Sequence, residues 1–346
     1  MSGTMHKVRE KNQRLNIVKA IACASVIVLH CPFPGIVGKI LYGFARFAVP
    51  FFFMVSGYFV YADDAEKVIS RLPRKIMHII RLLVVSEIIY FIWHCVQYWI
   101  QDGSLGTLEW ITNLFTFSNL TKLIIFQSTM IGDVSWFLVA LLLCYLFTYV
   151  IAKKNLWNES AKLIPILLLT NVVLGEGLPF YGISVPWYWC SNVWLLGFPF
   201  FSFGYWIKIH QKELCNRFNS KYISIILVIS IGINLLERII TDASQFFLSN
   251  AFMAFALFML CIKYPSISMK KGLDKVEKIG EKHAVHVYIF HPIIRDVLVM
   301  TTGVLGIDNM IIYQWSQPIL VFGFCIMIGS LFEHMKMIIR KRTYDM

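Results

Sequence analysis

The chain has 346 residues, of which 58% are apolar and only 15% are charged, and it carries a net charge of +12. A typical soluble domain has about 25% charged residues, so this composition excludes an ordinary soluble globular protein. An excess of basic residues would suggest nucleic acid binding in a soluble chain. In this chain the basic residues are distributed as in the cytoplasmic loops of a membrane protein, so we expect no nucleic acid partner.

Ten apolar runs recur along the chain, and each predicts a transmembrane helix. A helix rises about 1.5 Å per residue, so a run of roughly 20 residues crosses a hydrocarbon core of about 30 Å. Backbone amides have no water partners at that depth and must be paired within the segment, which makes the runs helices. The predicted fold class is an all-α, polytopic integral membrane helical bundle with about ten transmembrane helices. The runs lie near residues 15–31, 40–61, 76–99, 133–152, 161–175, 193–208, 222–239, 245–262, 284–302 and 311–333.

Basic side chains are concentrated in alternate gaps between these runs. Most of the 32 Lys and Arg residues lie in the N-terminal tail, in every second gap or in the C-terminal tail. The exceptions are Lys19, Lys39, Arg46, Lys122, Arg238 and Arg295. By the positive-inside rule, the chain crosses the membrane ten times and both termini face the cytoplasm. We expect one membrane domain over residues 1–346, with cytoplasmic tails at 1–14 and 334–346 and membrane lipids around it.

Two ionisable side chains share one face of the first predicted helix. Lys19 and His30 are eleven residues apart. At about 100° per residue this spacing brings them to the same side, about 16 Å apart along the axis. Ionisable groups at membrane depth are costly, so each is a candidate functional residue. A neutral imidazole at the outer end suits a general base, whereas the alternative is that His30 only reaches the membrane interface.

The second predicted helix opens with Arg46. A connection of about nine residues, rich in Pro and Gly, makes the first two helices antiparallel neighbours. That arrangement places Arg46 at the outer level of His30. The alternative interpretation of Arg46 is an interface anchor.

The third predicted helix carries a basic stripe at its cytoplasmic end. Arg74, His78 and Arg81 are spaced by four and three residues and therefore share one face. The stripe is explained either by positive-inside anchoring or by binding of anionic phosphates in a cavity.

The ninth predicted helix combines a histidine with a proline. His291 and Arg295 are four residues apart and face one way. Pro292 should kink this helix and free backbone carbonyls, which then need a protein partner or a watery cavity. His291 therefore joins the candidate site residues.

Other features of the sequence point less clearly to chemistry. The aromatic residues near 180–189 are either an interface belt or a platform for stacking sugars. The eight cysteines contain no CxxC spacing, so we expect no metal site.

These motifs, taken in order, resemble the membrane acyltransferase 3 family, whose members O-acylate cell-envelope glycans and related molecules. The first helix has the family pattern of a basic residue, ten intervening residues and a histidine. The other matching segments are "RFAVPFFFMVSGYF" from Arg46, "WFLVALLLCYL" from Trp136, "LLGFPFFSFGYWI" from Leu195 and "IGEKHAVHVYIFHP" from Ile279. One departure is Lys19, where the family usually has an arginine. Lysine keeps the charge but loses the planar, bidentate guanidinium.

The resemblance implies an O-acetyltransferase or related O-acyltransferase in the inner (cytoplasmic) membrane. Acetyl-CoA or another acyl-CoA would be the cytoplasmic donor, without a metal. The acceptor would be a hydroxyl of a cell-envelope glycan or lipid-linked saccharide. The alternative function is a membrane transporter or exporter of a small polar solute or glycan.

The resemblance also implies roles for the candidate residues. His30 would be the general base or a transient carrier of the acyl group. Arg46, with help from Tyr58 or from backbone amides, would stabilise the oxyanion, and His291 would complete the catalytic set. The donor phosphates would be bound by Lys19, Arg74 and Arg81.

Overall fold

A computed structural model describes residues 11–128, 131, 132, 134–240, 248–268 and 272–344, with side chains up to residue 339. The N-terminal tail up to residue 10, Lys270 and Lys271, which the charge pattern places in the cytoplasm, lie outside the described residues. The described residues are helical and contain no strand. The helices are α1 Gln13–His30, α2 Gly35–Ala45, α3 Ala48–Tyr58, α4 Ala65–Leu114, α5 Phe117–Phe126, α6 Trp136–Lys154, α7 Trp157–Val172, α8 Leu178–Phe180, α9 Trp187–Cys190, α10 Phe198–Ile209, α11 Gln211–Arg217, α12 Ser220–Ile240, α13 Leu248–Lys263, α14 Leu273–Lys278, α15 Ala284–Leu305 and α16 Ile311–Tyr344. Three π-helical turns occupy Val173–Gly177, Val193–Gly197 and Ile279–His283.

The predicted all-α membrane bundle is confirmed. In the described part of the chain, eight helical segments are long and apolar enough to cross a membrane. They are Gln13–His30, Gly35–Tyr58, Ala65–Leu114, Trp136–Lys154, Trp157–Phe180, Ser220–Ile240, Leu273–Leu305 and Ile311–Ile339. The other two predicted crossings, near 193–208 and 245–262, coincide with the shorter apolar helical segments Val193–Ile209 and Leu248–Lys263.

The second span begins earlier than the sequence suggested. Helix α1 ends at His30 and α2 begins at Gly35, so four residues connect the spans instead of about nine. Pro34 has an extended backbone conformation and is the N-cap residue of α2. The helix therefore begins at the next residue, Gly35. Arg46 therefore lies at the junction of α2 and α3, inside the span rather than at its beginning.

Helix α4 also begins earlier than its apolar run. The Asp64 carboxylate accepts a 3.0 Å hydrogen bond from the backbone N–H of Glu66 and caps the helix. The polar stretch before residue 76 is consequently helical, and its basic residues belong to α4 and not to a loop. The helix is interrupted at Gly103, whose φ of 70° suits glycine.

Helices α3 and α10 approach through glycines, and this contact forms the centre of the core. A Cβ atom at Gly57 would collide with the backbone carbonyl of Phe201, and one at Gly204 with that of Met54. Small residues allow such close packing between membrane helices. The contact fixes the position of Tyr58, the last residue of α3.

Candidate active site

A large basic cavity opens at the end of the bundle where α1 begins. Its volume is about 1700 Å³, and α1, α3, α4 and α10 contribute to its walls. Its basic lining side chains are Lys11, Lys19, Arg71, Arg74, Lys75, His78 and Lys208. Glu281 is the acidic residue among the described lining residues. This concentration of positive charge suits a ligand with several anionic groups.

A second, narrow cavity adjoins the basic cavity within the bundle. Its volume is about 340 Å³, and its lining is mainly apolar. Lys19, Cys23, Val26 and His30 form one wall, and their spacing of four, three and four residues is that of a single helix face. The residues that line both cavities are Lys19, Val55, His78, Ile79, Tyr145 and Glu281. The two cavities therefore adjoin each other, with the basic residues around the first and His30 in the wall of the second.

Two histidines meet where His30 lines the narrow cavity. The ring centroids of His30 and His291 are 5.0 Å apart, and the rings are tilted by 52°. His30 is the last residue of α1, whereas His291 is completely buried in α15. The structure thus brings together two candidate residues that are far apart in sequence.

Arg46 contacts residues outside the two cavities. Its Nη2 atom donates a 3.0 Å hydrogen bond to the hydroxyl of Tyr42, and its guanidinium lies 4.9 Å from the centre of the Tyr42 ring. The Arg238 guanidinium lies 5.4 Å from the same ring centre. Arg46 lines neither cavity and belongs to a cluster formed by α2 and α12.

Tyr58 lies in the basic cavity, near the end opposite His30. Its hydroxyl donates a 2.8 Å hydrogen bond to Oε1 of Gln211, which also accepts a 2.8 Å bond from Nζ of Lys208. The Lys208 ammonium lies 4.8 Å from the centre of the Tyr58 ring. Tyr58 follows Arg46 by twelve positions in the same span, which corresponds to about 18 Å along a helix axis. The structure therefore does not bring Arg46 and Tyr58 together.

Helix α4 divides the predicted basic stripe. Arg74 and His78 line the basic cavity, whereas Arg81 is exposed and lines neither cavity. Sequence reasoning missed Arg71 and Lys75, which line the cavity beside Arg74. The signal that could have found them is the spacing of Arg71, Arg74, Lys75 and His78, which fits one helix face if α4 begins before residue 70.

The rim of the basic cavity is built from α1 and the π-helical turn Ile279–His283. Lys11 Nζ lies 2.9 Å from carboxylate oxygens of both Glu277 and Glu281. Hydrogen bonds to these two carboxylates raise the pKa of Lys11 above its usual value. A Cβ at Gly280 would collide with the backbone carbonyl of Asn16, so glycine is needed for this close contact. The turn thereby holds Glu281 at the boundary between the two cavities.

Comparison with known proteins identifies the family. Residues 12–332 match the model of the acyltransferase 3 family, which is described as an acyltransferase domain. No curated protein and no solved structure matches the chain. Apart from Lys11, the matched region contains every described residue that lines the two cavities. The chain therefore belongs to the acyltransferase 3 family and is a multi-pass membrane acyltransferase.

Proposed function

We propose that this acyltransferase moves an acetyl or other acyl group from cytoplasmic acyl-CoA to a hydroxyl of a cell-envelope saccharide. The observation that carries the proposal is that the basic cavity adjoins a second cavity whose wall contains His30. In this proposal the protein lies in the inner membrane of the cell, and the basic cavity faces the cytoplasm. The acceptor, a glycan or lipid-linked saccharide, approaches His30 from the other side.

The two cavities match the two chemically different parts of an acyl-CoA. The nucleotide end carries several phosphate charges, and Arg71, Arg74 and Lys208 supply cationic donors for them. The pantetheine arm and acyl group are slender and less polar, which suits the narrow cavity between Lys19 and His30. The thioester is thereby presented to the imidazole. Arg81 is left outside this arrangement, and Tyr58 contributes to the donor cavity.

His30 provides the base for the transfer. One ring nitrogen takes the proton of the acceptor hydroxyl while its oxygen attacks the thioester carbonyl carbon. The C–S bond then breaks, the new ester forms, and the imidazolium returns its proton to the departing CoA thiolate. Alternatively, the ring nitrogen attacks the carbonyl carbon first, the C–S bond breaks and the CoA thiolate leaves. The acceptor oxygen then takes the acyl group as the N–C bond breaks, and the hydroxyl proton passes to the freed imidazole and from there to the thiolate. Both sequences need a neutral nitrogen that faces the narrow cavity.

The location of Arg46 changes the assignment of oxyanion stabilisation. The Arg46 guanidinium is stacked on Tyr42 and does not line the cavity that contains His30. The proposed mechanism therefore gives Arg46 and Tyr58 no contact with the reacting carbonyl. We expect Arg46 to organise the contact of α2 with α12 instead.

The test of the function follows acetyl-CoA and the envelope glycans together. Membranes that contain this protein should release CoA from acetyl-CoA, and mass spectrometry should find acetylated sugars that matched membranes without the protein lack. Solute flux through the protein without consumption of acetyl-CoA would contradict the proposal and support a transporter instead.

A further inference from the structure

The tautomer of His291 follows from its hydrogen bonds. Its Nδ1 atom lies 2.9 Å from the backbone carbonyl oxygens of both Val287 and Tyr288. A carbonyl oxygen can only accept a hydrogen bond, so Nδ1 must carry the proton. In a neutral ring, Nε2 then has the lone pair and can only accept.

Pro292 explains why this arrangement is stable. A proline has no N–H, so it cannot donate to the carbonyl four residues earlier, which is that of Tyr288. His291 donates its Nδ1–H to this carbonyl in place of the missing helical bond. The local sequence therefore fixes the tautomer of His291 independently of any ligand.

The opposite ring atom of His291 is buried and lacks a donor. Among the described residues, Nε2 has no hydrogen-bond partner. Leaving a buried acceptor unsatisfied is costly. The neighbouring Arg295 is engaged elsewhere, because its Nε and Nη2 atoms lie 2.9 and 2.7 Å from Oδ1 of Asp296. The His30 ring lies beside that of His291, with the two ring centroids 5.0 Å apart, so a modest rotation of the His30 ring would bring one of its nitrogens to Nε2.

We propose that His291 Nε2 accepts the ring N–H of His30 and so holds the other nitrogen of His30 unprotonated toward the narrow cavity. This inference rests on the proposed function and gives His291 the role of a positioning residue. When His30 takes the proton of the acceptor hydroxyl, both of its nitrogens carry hydrogen. The bond to Nε2 stabilises that imidazolium, and the proton leaves with the CoA thiolate, so His291 itself never changes protonation.

Two substitutions separate this role from a purely structural one. His291→Asn places an amide N–H near the position of Nδ1, so it can still donate to the Tyr288 carbonyl, but it has no acceptor at the position of Nε2. His291→Gln is longer and brings its amide oxygen to the position of Nε2. If His291 acts only through its bond to the Tyr288 carbonyl, the Asn variant should retain more activity than the Gln variant. If His291 positions His30, the Gln variant should retain more.

The expected result is a loss of turnover without a loss of donor binding. For His291→Asn we expect kcat to fall about 100-fold, as for other misoriented catalytic groups, with an unchanged Kd for acetyl-CoA. His291→Gln should recover part of kcat. In a His30→Ala background, His291→Asn should have no additional effect, because it acts through His30.

Several outcomes would overturn the inference. If His291→Asn keeps the wild-type kcat, His291 does not position His30 and has only a structural role. If His291→Asn does not fold, a His291→Gln protein with no more activity than His291→Ala would also contradict the proposal. If His30→Ala keeps full transfer activity, the proposed function itself fails. An inactive His30→Ala protein beside a fully active His291→Asn protein would refute only the present inference.

Discussion

Replacing His30 by alanine should reduce acyl transfer by about 100-fold to 10000-fold, the usual contribution of a positioned general base. The side chain lines the cavity that adjoins the basic cavity, so under the proposed function its removal eliminates the nitrogen that would meet the thioester. Donor binding should be retained because the side chains that would bind the phosphates line the basic cavity. The measurement is the rate of label transfer from acetyl-CoA, together with the Kd for acetyl-CoA and the Tm in detergent.

A second histidine provides the matched control for this substitution. His334 is exposed on α16 and lines neither cavity, so His334→Ala should keep wild-type transfer activity. Equal activities of the two alanine variants, at equal Tm, would show that His30 is neither base nor acyl carrier.

Replacing Arg71 and Arg74 together by glutamine should raise KM for acetyl-CoA by about 10-fold to 100-fold. A charged hydrogen bond contributes about 1.5–3 kcal/mol, and each 1.4 kcal/mol corresponds to about tenfold in affinity. Arg71 and Arg74 are both exposed to the cavity, so water screens part of this interaction. The value of kcat at saturating donor should change much less, because neither residue lies near His30. Steady-state kinetics with varied acetyl-CoA checks both parameters.

Arg81→Gln is the control because it makes the same change on the same helix. Arg81 lies outside both cavities, so we expect this variant to have nearly the wild-type KM. A KM effect in Arg81→Gln as large as that of the double variant would favour the sequence-based assignment of Arg81 over the geometric one.

The membrane bundle was predictable because it depends on local patterns. Apolar runs determine which segments can span a membrane, without knowledge of any tertiary contact. The orientation indicated by the alternating charge stays a prediction. The shared face of Lys19 and His30 was equally local, since helix geometry alone relates the two residues. The structure adds that Cys23 and Val26 lie between them along one cavity wall.

Helix boundaries caused the differences at the site. The apolar run of α4 begins near residue 76, but the helix extends back to Ala65, and Arg71 and Lys75 therefore lie on the cavity wall. A polar helical extension has no apolar signal and resembles a loop in sequence. The connection after His30 is likewise shorter than the sequence suggested. Arg46 therefore lies inside the second span and not at its outer end.

The contact between His30 and His291 could not be derived from the sequence. The residues are 261 positions apart, and no periodicity relates distant helices of one bundle. The sequence did predict, from Pro292, that a backbone carbonyl in this helix lacks its helical hydrogen-bond donor. The structure identifies the replacement donor as His291 itself.

The face at which the donor enters is the most direct test of the account. Acetyl-CoA does not cross membranes, so sealed vesicles can receive labelled donor at one face only. With inside-out vesicles, which expose the cytoplasmic face, we predict transfer of label to the membrane glycan that depends on His30. Transfer that occurs only when donor is supplied at the opposite face would contradict the proposal that the donor reaches His30 from a cytoplasmic basic cavity.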